Sequence, residues 1–398
     1  MKTLLFVDDE PRVLQGLQRQ LRPMRNEWDM HFVVDGKQAL NFMATRPMDI
    51  IVSDMMMPGM DGAQLLGEVL KRHPQTVRIV LSGHSGPDAV LRFVGPAHQY
   101  LSKPCNPDEL REAILRAFSL CDLLGNDRLK RLTTRLKFLP TLPTLHERLT
   151  DELQRDTPSV DAIGEIISRD LGMTAKILQL VNSAFFGLAQ PISSPADAVV
   201  YLGLNTIRSL ALSVGIFQQF DQAACPAFSL DALVEHSWLT GTMARTLAQR
   251  TGRDSKVQDQ CFLAGLLHDV GQLILAFGLQ EEYSAVMVEA RKEHRPRWQV
   301  EQEILGATHA DVGAYLLALW GLPNPVVEAV AQHHQPSRSA ATEFSPVIAI
   351  HAADVFAHEL LAANTEVLPR LDLACLDRLG CTGNIETWRE DCLHTEHL

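Results

Sequence analysis

The stretch MDIIVSDMMMPGMDG, residues 48–62, decides how the first third of the chain folds. Ile50, Ile51 and Val52 form a short apolar run without helical spacing, which reads as a buried strand. The run stops at Asp54, and a loop rich in Pro and Gly follows. The same grammar repeats outward on both sides. TLLFVDDE (3–10) is a strand ending in acids, and PRVLQGLQRQL (11–21) has helix spacing. MHFVVDG (30–36) is a strand and GKQALNFMAT (36–45) a helix. AQLLGEVLKRH (63–73) is a helix, VRIVLSG (77–83) a strand and DAVLRFVG (88–95) a weak helix. HQYLSKP (98–104) is a short strand, and PDELREAILRAF (107–118) closes the set. Alternation of this kind predicts an α/β domain over 1–120: a five-stranded parallel sheet with helices on both faces.

Ligands of such sheets sit at the carboxyl ends of the strands. Asp8 and Asp9, Asp54, Ser82 and Lys103 all fall there. Three carboxylates on one edge repel one another unless a cation lies between them. Oxygen-only ligation suits Mg²⁺, which accepts phosphate as a co-ligand. Lys103 offers a point charge to a phosphoryl oxygen, Ser82 offers a hydrogen bond, and an Asp between Mg²⁺ and Lys can accept a phosphoryl group.

DDE, SDMMMPGMDG, LSG and YLSKP together resemble the receiver domain of bacterial two-component response regulators, whose fold is flavodoxin-like. The resemblance implies that Asp54 is the phosphoacceptor, served by a sensor histidine kinase. It implies Mg²⁺ on Asp9, Asp54 and the carbonyl of Met56, with Asp8 acting through water. It makes Ser82 and Tyr100 the switch positions and the bond before Pro104 cis.

The chain has 398 residues, a formal charge of -12 and seven scattered cysteines without a CxxC pair. The charge argues against general affinity for nucleic acid. The cysteines fit a reducing, cytoplasmic setting. The opening MKTLLFVDDE is no signal peptide, and no run reaches the roughly 18 apolar residues that span a membrane. Residues 121–140 read as a basic helical connector. Leu129, Leu132, Leu136 and Leu139 form a 3-4-3 seam, and Arg128, Lys130, Arg131, Arg135 and Lys137 form its solvated face. Two readings of the seam stay open: pairing with a second copy to give a homodimer, or packing on the next domain. Pro140 and Pro143 end the helix.

From 141 to 360 every pattern is helical and no strand is expected. FLAGLLHDVGQLILAF (262–277) is the informative piece, because a buried His268–Asp269 pair is costly unless partnered or bound to metal. His236, His309, His333, His334 and Asp354 also lie on apolar helical faces, with His351 one turn before Asp354. Such a set suits Fe, Mn, Zn or Ni, with Asp269 able to bridge two ions. Residues 361–398 read as a short helical tail.

The order His, His-Asp, His, His-His, Asp resembles the HD superfamily of metal-dependent phosphohydrolases. That resemblance implies core ligands His236, His268, Asp269 and Asp354, and second-metal ligands His309 with His333 or His334. LVNSAFFG, SSPADAVVYLGLNTIRSLAL, FLAGLLHDVGQLIL and HADVGAYLLALWGLP resemble the HDOD family, the HD-related output domain, over roughly Leu139 to Ala357. Two features of the cyclic-dinucleotide phosphodiesterase branch are missing: Gln272 stands where its lysine would be, and no GYP follows HHQP. The expectation is therefore a regulatory output acting on a protein or small ligand. The rival is a receiver-controlled metal phosphohydrolase.

Overall fold

The computed structural model describes residues 1–83, 96–103, 107–123, 127–136, 139–155, 157–183, 188, 191–212, 218–219, 225–361 and 369–393. Two compact units result. One comprises Met1–Phe138 with Gln179–Pro191 and Ala318–Gly321; the other holds Leu139–Leu178, Ile192–Leu317 and Leu322–Leu398.

In the first unit, β1 (Lys2–Val7), β2 (Trp28–Val33), β3 (Ile50–Asp54), β4 (Val77–Ser82) and β5 (Gln99–Ser102) form one parallel sheet in the order β2-β1-β3-β4-β5. Leu4, Leu5, Phe6, Ile50, Ile51 and Val52 are all buried, as continuous apolar runs must be when helices cover both faces. The covering helices are α1 (Pro11–Gln20), α2 (Gly36–Thr45), α3 (Gly62–Arg72) and α4 (Pro107–Leu123). The loop after β3 is fixed by a capping box: Asp61 Oδ1 accepts the Gln64 N–H, and Gln64 Oε1 accepts the Asp61 N–H. Gly62 is required there, since a Cβ would stand 2.2 Å from the Asp54 carbonyl oxygen. The expected helix at 88–95 and the Pro104 bond lie outside the described residues.

The connector departs from expectation. Helix α5 covers Asp127–Arg135 and stops before Leu136. The Thr133 and Thr134 hydroxyls bond back to the Leu129 and Lys130 carbonyls, and the Leu136 N–H closes a tight turn onto Thr133. The leucine seam is thus divided: Leu136 and Leu139 lie beyond the helix, and Leu129, Leu136 and Leu139 are buried within the chain. Among the described residues, the helix itself carries Leu129 and Leu132 of the seam.

The second unit is mainly helical. Its helices are α6 (Pro143–Gln154), α7 (Val160–Ser168), α8 (Leu171–Val181, whose end belongs to the first unit), α9 (Pro195–Leu202) and α10 (Leu204–Leu212). There follow α11 (Leu230–Arg250), α12 (Ser255–Leu267), α13 (Val270–Gly278), α14 (Gln280–Glu293) and α15 (Arg297–Leu305). The rest are α16 (His309–Leu319), α17 (Asn324–Gln332), α18 (Pro346–Leu361), α19 (Leu373–Arg378) and α20 (Ile385–Leu393). One expectation fails in a small way. A two-residue parallel bridge, β6 (Pro140–Thr141) with β7 (Gln218–Gln219), interrupts the all-helical pattern. Ser255–Gly278, the span of α12 and α13, is long and apolar enough on average to cross a membrane, yet 89% of its most apolar window is buried inside the protein, as befits core helices.

Candidate metal centre and phosphoacceptor pocket

At the carboxyl edge of the sheet, Asp8 ends β1's turn and Asp54 ends β3, and both are buried. Lys103, just past β5, donates from Nζ to Asp8 Oδ2 at 2.7 Å and also to Asp54 Oδ1. Burial works against the charge on Lys103, but hydrogen bonds and charge from Asp54 and Asp8 raise its pKa overall. The remaining oxygens are held by the backbone: Asp54 Oδ2 accepts the Met56 N–H at 2.8 Å, and Asp8 Oδ1 accepts the Glu10 N–H at 2.9 Å. One ammonium faces two carboxylates here, and the negative charge left over suits a hard cation. The Met56 side chain is exposed, leaving its backbone beside Asp54. Tyr100 is buried, and burial pushes its phenol pKa up. Ser82 ends β4 opposite Ser102; its side chain is outside the described residues.

The second unit gathers His236, His268, Asp269, His309, His333, His334 and Asp354. The helix expected over 262–277 breaks at His268–Asp269, between α12 and α13, and the break turns both side chains to one point. Helix α11 brings His236, α16 begins with His309, His333 and His334 follow α17, and α18 brings Asp354. Small residues permit the crowding. A Cβ on Gly265 would lie 2.6 Å from Gly241 Cα, where α12 meets α11. A Cβ on Gly271 would lie 1.9 Å from the His309 carbonyl oxygen, where α13 meets α16.

Two ligand groups result. His236, His268 and Asp354 form one; Asp269, His309, His333 and His334 form the other, with the ligand atoms of each within 4.8 Å of one another. Asp269 divides its oxygens between them. Oδ2 lies 3.5 Å from His268 Nε2, and Oδ1 lies 3.0 Å from His309 Nε2 and 3.8 Å from His333 Nε2. His236 Nε2 is 3.1 Å from Asp354 Oδ1.

The outer nitrogens settle which ring atom faces inward. His268 Nδ1 lies 2.6 Å from the Gly265 carbonyl, His333 Nδ1 2.8 Å from the Val330 carbonyl, and His309 Nδ1 2.6 Å from Glu301 Oε2. Each Nδ1 therefore carries a proton to donate, and Nε2 of each ring is aimed into the cluster. Ring nitrogens crowd one another: His236 and His268 Nε2 are 3.2 Å apart, and His309 and His334 Nε2 are 2.9 Å apart. His333 Nε2 is buried and makes no hydrogen bond. Nitrogen and carboxylate donors gathered this way fit divalent transition metals, and Asp269 faces both groups. Without ions, protons must fill the role. Burial opposes the charge on His268, but Asp269 and Asp354 hold its pKa up at about 9. Burial likewise opposes charge on His309, which Glu301 and Asp269 hold at about 10. Burial, with His268 and His309 beside it, pushes His333 down to about 3.

Comparison with known families now bears on both sites. Residues 4–115 match the response regulator receiver domain, and residues 139–336 match the HDOD domain. The chain is a receiver domain joined to an HDOD domain. This makes it a response regulator of two-component, phosphorelay signalling. It is 26% identical over 220 residues to an uncharacterised protein of Treponema pallidum, covering 54% of this chain and 41% of that one. It is 33% identical over 153 residues to the hydrogenase transcriptional regulatory protein HoxA of Cupriavidus necator, covering 38% and 30%. The chain spans less than half the length of these relatives. Among solved structures it is similar to the response regulator MmoQ of Methylococcus capsulatus, with 24% identity and a TM-score of 0.49, over 63% of this chain and 97% of that one.

The HDOD domain also holds residues that the sequence did not single out. Glu301 is wholly buried on α15 and accepts from Tyr283 OH at 3.2 Å as well as from His309. His358 Nε2 lies 3.4 Å from Asp354 Oδ1. Its i,i+4 spacing from Asp354 was the available signal; Glu301 had none, being one of several acids in its segment. His351 stands behind the site instead of in it. Its Nδ1 bonds the His333 carbonyl, and its Nε2 accepts the Asp372 N–H. A cavity of about 690 Å³ opens over the cluster, with His236, Asp269, His309, His333, His334 and Asp354 at its floor.

Proposed function

We propose that the receiver and HDOD domains form a phosphorylation-controlled metal phosphohydrolase. A partner sensor histidine kinase transfers a phosphoryl group to Asp54. Mg²⁺ is held by Asp9, Asp54 and the Met56 carbonyl, with Asp8 acting through water; Lys103 neutralises the phosphoryl group, and Ser82 and Tyr100 answer the change. In the HDOD domain, His236, His268 and Asp354 would hold one ion, and Asp269, His309, His333 and His334 would hold a second. Fe, Mn, Zn or Ni bound there supplies Lewis acidity toward a phosphate ester and the attacking water. The single observation that carries this reading is the inward aim of Nε2 from His268, His309 and His333, fixed from behind by Gly265, Glu301 and Val330. The protein's own contribution is a set of oriented donors lining an open cavity.

Gln272 favours a second reading, in which the domain binds its ligand without turnover and signals by protein contact. It is neutral at the position where the related phosphodiesterases place a lysine. The test is direct. Purified full-length protein is assayed for bound metal, then screened with phosphate mono- and diesters before and after phosphorylation by acetyl phosphate. About two equivalents of metal per chain, and turnover that changes with phosphorylation and is lost in Asp269→Ala, are expected. Metal-replete protein that turns over no ester in either state overturns the enzyme and leaves the binding reading.

A further inference from the structure

Residues 369–378 lie beyond the part of the chain that matches the HDOD domain, which ends at residue 336. They nevertheless reach the His/Asp cluster. Pro369 and Arg370 line its cavity, and Asp372 caps α19 by accepting the Cys375 N–H on Oδ1 at 2.9 Å. Two further contacts tie Asp372 to the segment that follows α17. Its Oδ2 accepts the Ser337 hydroxyl, and its backbone N–H donates to His351 Nε2 at 2.8 Å. His351 Nδ1 in turn lies 2.7 Å from the His333 carbonyl oxygen. These partners fix the proton on His351. A backbone N–H can only donate and a carbonyl can only accept, so Nε2 is the acceptor and Nδ1 the donor of a neutral ring. Burial agrees, since it holds the His351 pKa down. His333 caps the C-terminus of α17, where carbonyls have no partner within the helix. His351 supplies that partner from α18, one turn before Asp354.

From this geometry we infer that His351 and Asp372 are positioning residues for the second ion, so that docking of residues 369–378 and metal occupancy of the Asp269, His309, His333 and His334 group are coupled through the His333 backbone. The inference rests on the metal-centre reading above, because it concerns how tightly an ion is held there. The His333 ring keeps Nδ1 on the Val330 carbonyl and Nε2 3.8 Å from Asp269 Oδ1. Where that ring sits depends on its backbone, and His351 holds the backbone carbonyl. When Asp372 leaves, His351 Nε2 loses its donor. A buried polar atom without a partner is costly, so the ring turns to find another and releases the His333 carbonyl. The first group is carried by α11, the break after α12, and α18, so its ion should feel the change less. Coupling of this kind is reciprocal: if docking tightens the ion by some factor, the ion tightens docking by the same factor.

The experiment uses full-length protein, stripped of metal and titrated calorimetrically with Mn²⁺. Wild type is compared with Asp372→Ala, His351→Phe and His351→Gln. Wild type should bind in two steps. Asp372→Ala changes no ligand, yet it should weaken one step by about 10–100-fold and leave the other. His351→Phe should do the same, since it keeps a ring without its hydrogen bonds. His351→Gln carries one donor and one acceptor and should recover most of the loss. Hydrogen exchange read by mass spectrometry tests the reverse direction. Peptides covering 369–378 should exchange more slowly in Mn²⁺-loaded than in stripped wild type, and His351→Phe should lose that protection. Unchanged affinity in both Asp372→Ala and His351→Phe overturns the inference. Equal weakening of both steps overturns it too, because that marks general loosening of the fold. So do His351→Gln binding no better than His351→Phe, and exchange in 369–378 that ignores Mn²⁺. If Asp372→Ala does not fold, the two His351 variants and wild-type exchange decide. A wild type that takes up no Mn²⁺ overturns the metal-centre reading and this inference with it; two-step binding in wild type confines every other failure to the inference.

Discussion

Glu301 Oε2 lies 2.6 Å from His309 Nδ1, and the same oxygen accepts the His309 backbone N–H at 2.7 Å. One buried carboxylate thus fixes both where α16 begins and which nitrogen of its first residue faces Asp269. Removing it should loosen the ring and leave Tyr283 and His309 donors unsatisfied. Glu301→Ala is expected to weaken metal binding by about 10–100-fold and to lower the melting temperature; Glu301→Gln should do less on both counts. Metal titration checks this. Unchanged affinity in Glu301→Ala would mean that His309 is oriented by something else.

Gly271 has no room for a side chain against the His309 carbonyl. Gly271→Ala must push α13 and α16 apart at the floor of the centre. Overpacking of this kind costs about 1–3 kcal/mol, and His309 moves with α16. We expect a lower melting temperature together with loss of bound metal. Gly16→Ala is the control, since nothing lies within 4 Å of the Cβ it would add. A Gly271→Ala protein that melts and binds metal like wild type would show that the two helices are not held at this contact.

In the receiver, the Lys103 ammonium joins Asp8 to Asp54. Asp54→Asn should abolish Mg²⁺-dependent labelling by acetyl phosphate, because an amide cannot form the acyl phosphate. Lys103→Ala should still be labelled but lose the response of the HDOD domain. Phosphate release after labelling, measured for each variant, is the readout. Normal labelling of Asp54→Asn would move the phosphoacceptor elsewhere.

The first domain was largely legible because each strand is a bounded apolar run, and a parallel sheet puts all strand ends on one edge. The residues Asp8, Asp54 and Lys103 followed from that rule alone. The second centre was half legible. His268–Asp269 stood out by being polar inside an apolar run, whereas the break between α12 and α13 did not, since both flanks have helical spacing. Residues 280–305 carry so many charges that no apolar stripe marks their helices. Glu301 was hidden with them. The divided connector was missed for another reason: leucine spacing is blind to the Thr133 and Thr134 hydroxyls that bond back along α5.

Arg78 is buried on β4 and spends its donors on carbonyls of three segments. Nε bonds the Pro96 carbonyl at 2.6 Å, Nη1 that of Thr76 at 2.9 Å and Nη2 that of Thr134, in α5, at 2.9 Å. His98 supports the arrangement by accepting the Arg78 N–H on Nδ1. Arg78→Met keeps the bulk but strands these acceptors, at about 1–3 kcal/mol for each one that water cannot reach. A drop in denaturant midpoint is expected, with weaker coupling between Asp54 phosphorylation and output. A variant as stable as wild type would show that α5 is held without this clamp.

The His/Asp centre should also declare itself in stability. Its donors come from separate helices and converge only in the folded chain, so metal binds the native state and barely the unfolded one. Free metal at about 100 times its dissociation constant then adds about 2.7 kcal/mol. Stripping the ions with a chelator should lower the melting temperature of wild type, and adding back Mn²⁺ or Fe²⁺ should restore it. In Asp269→Ala the same treatments should shift the melting temperature much less, because the bridge between the two groups is gone. That variant should also melt below chelated wild type, since His309 and His333 then face each other with no carboxylate between them. Calorimetry across the four samples decides it. Equal metal-dependent shifts in wild type and Asp269→Ala would remove Asp269 from the ligand set.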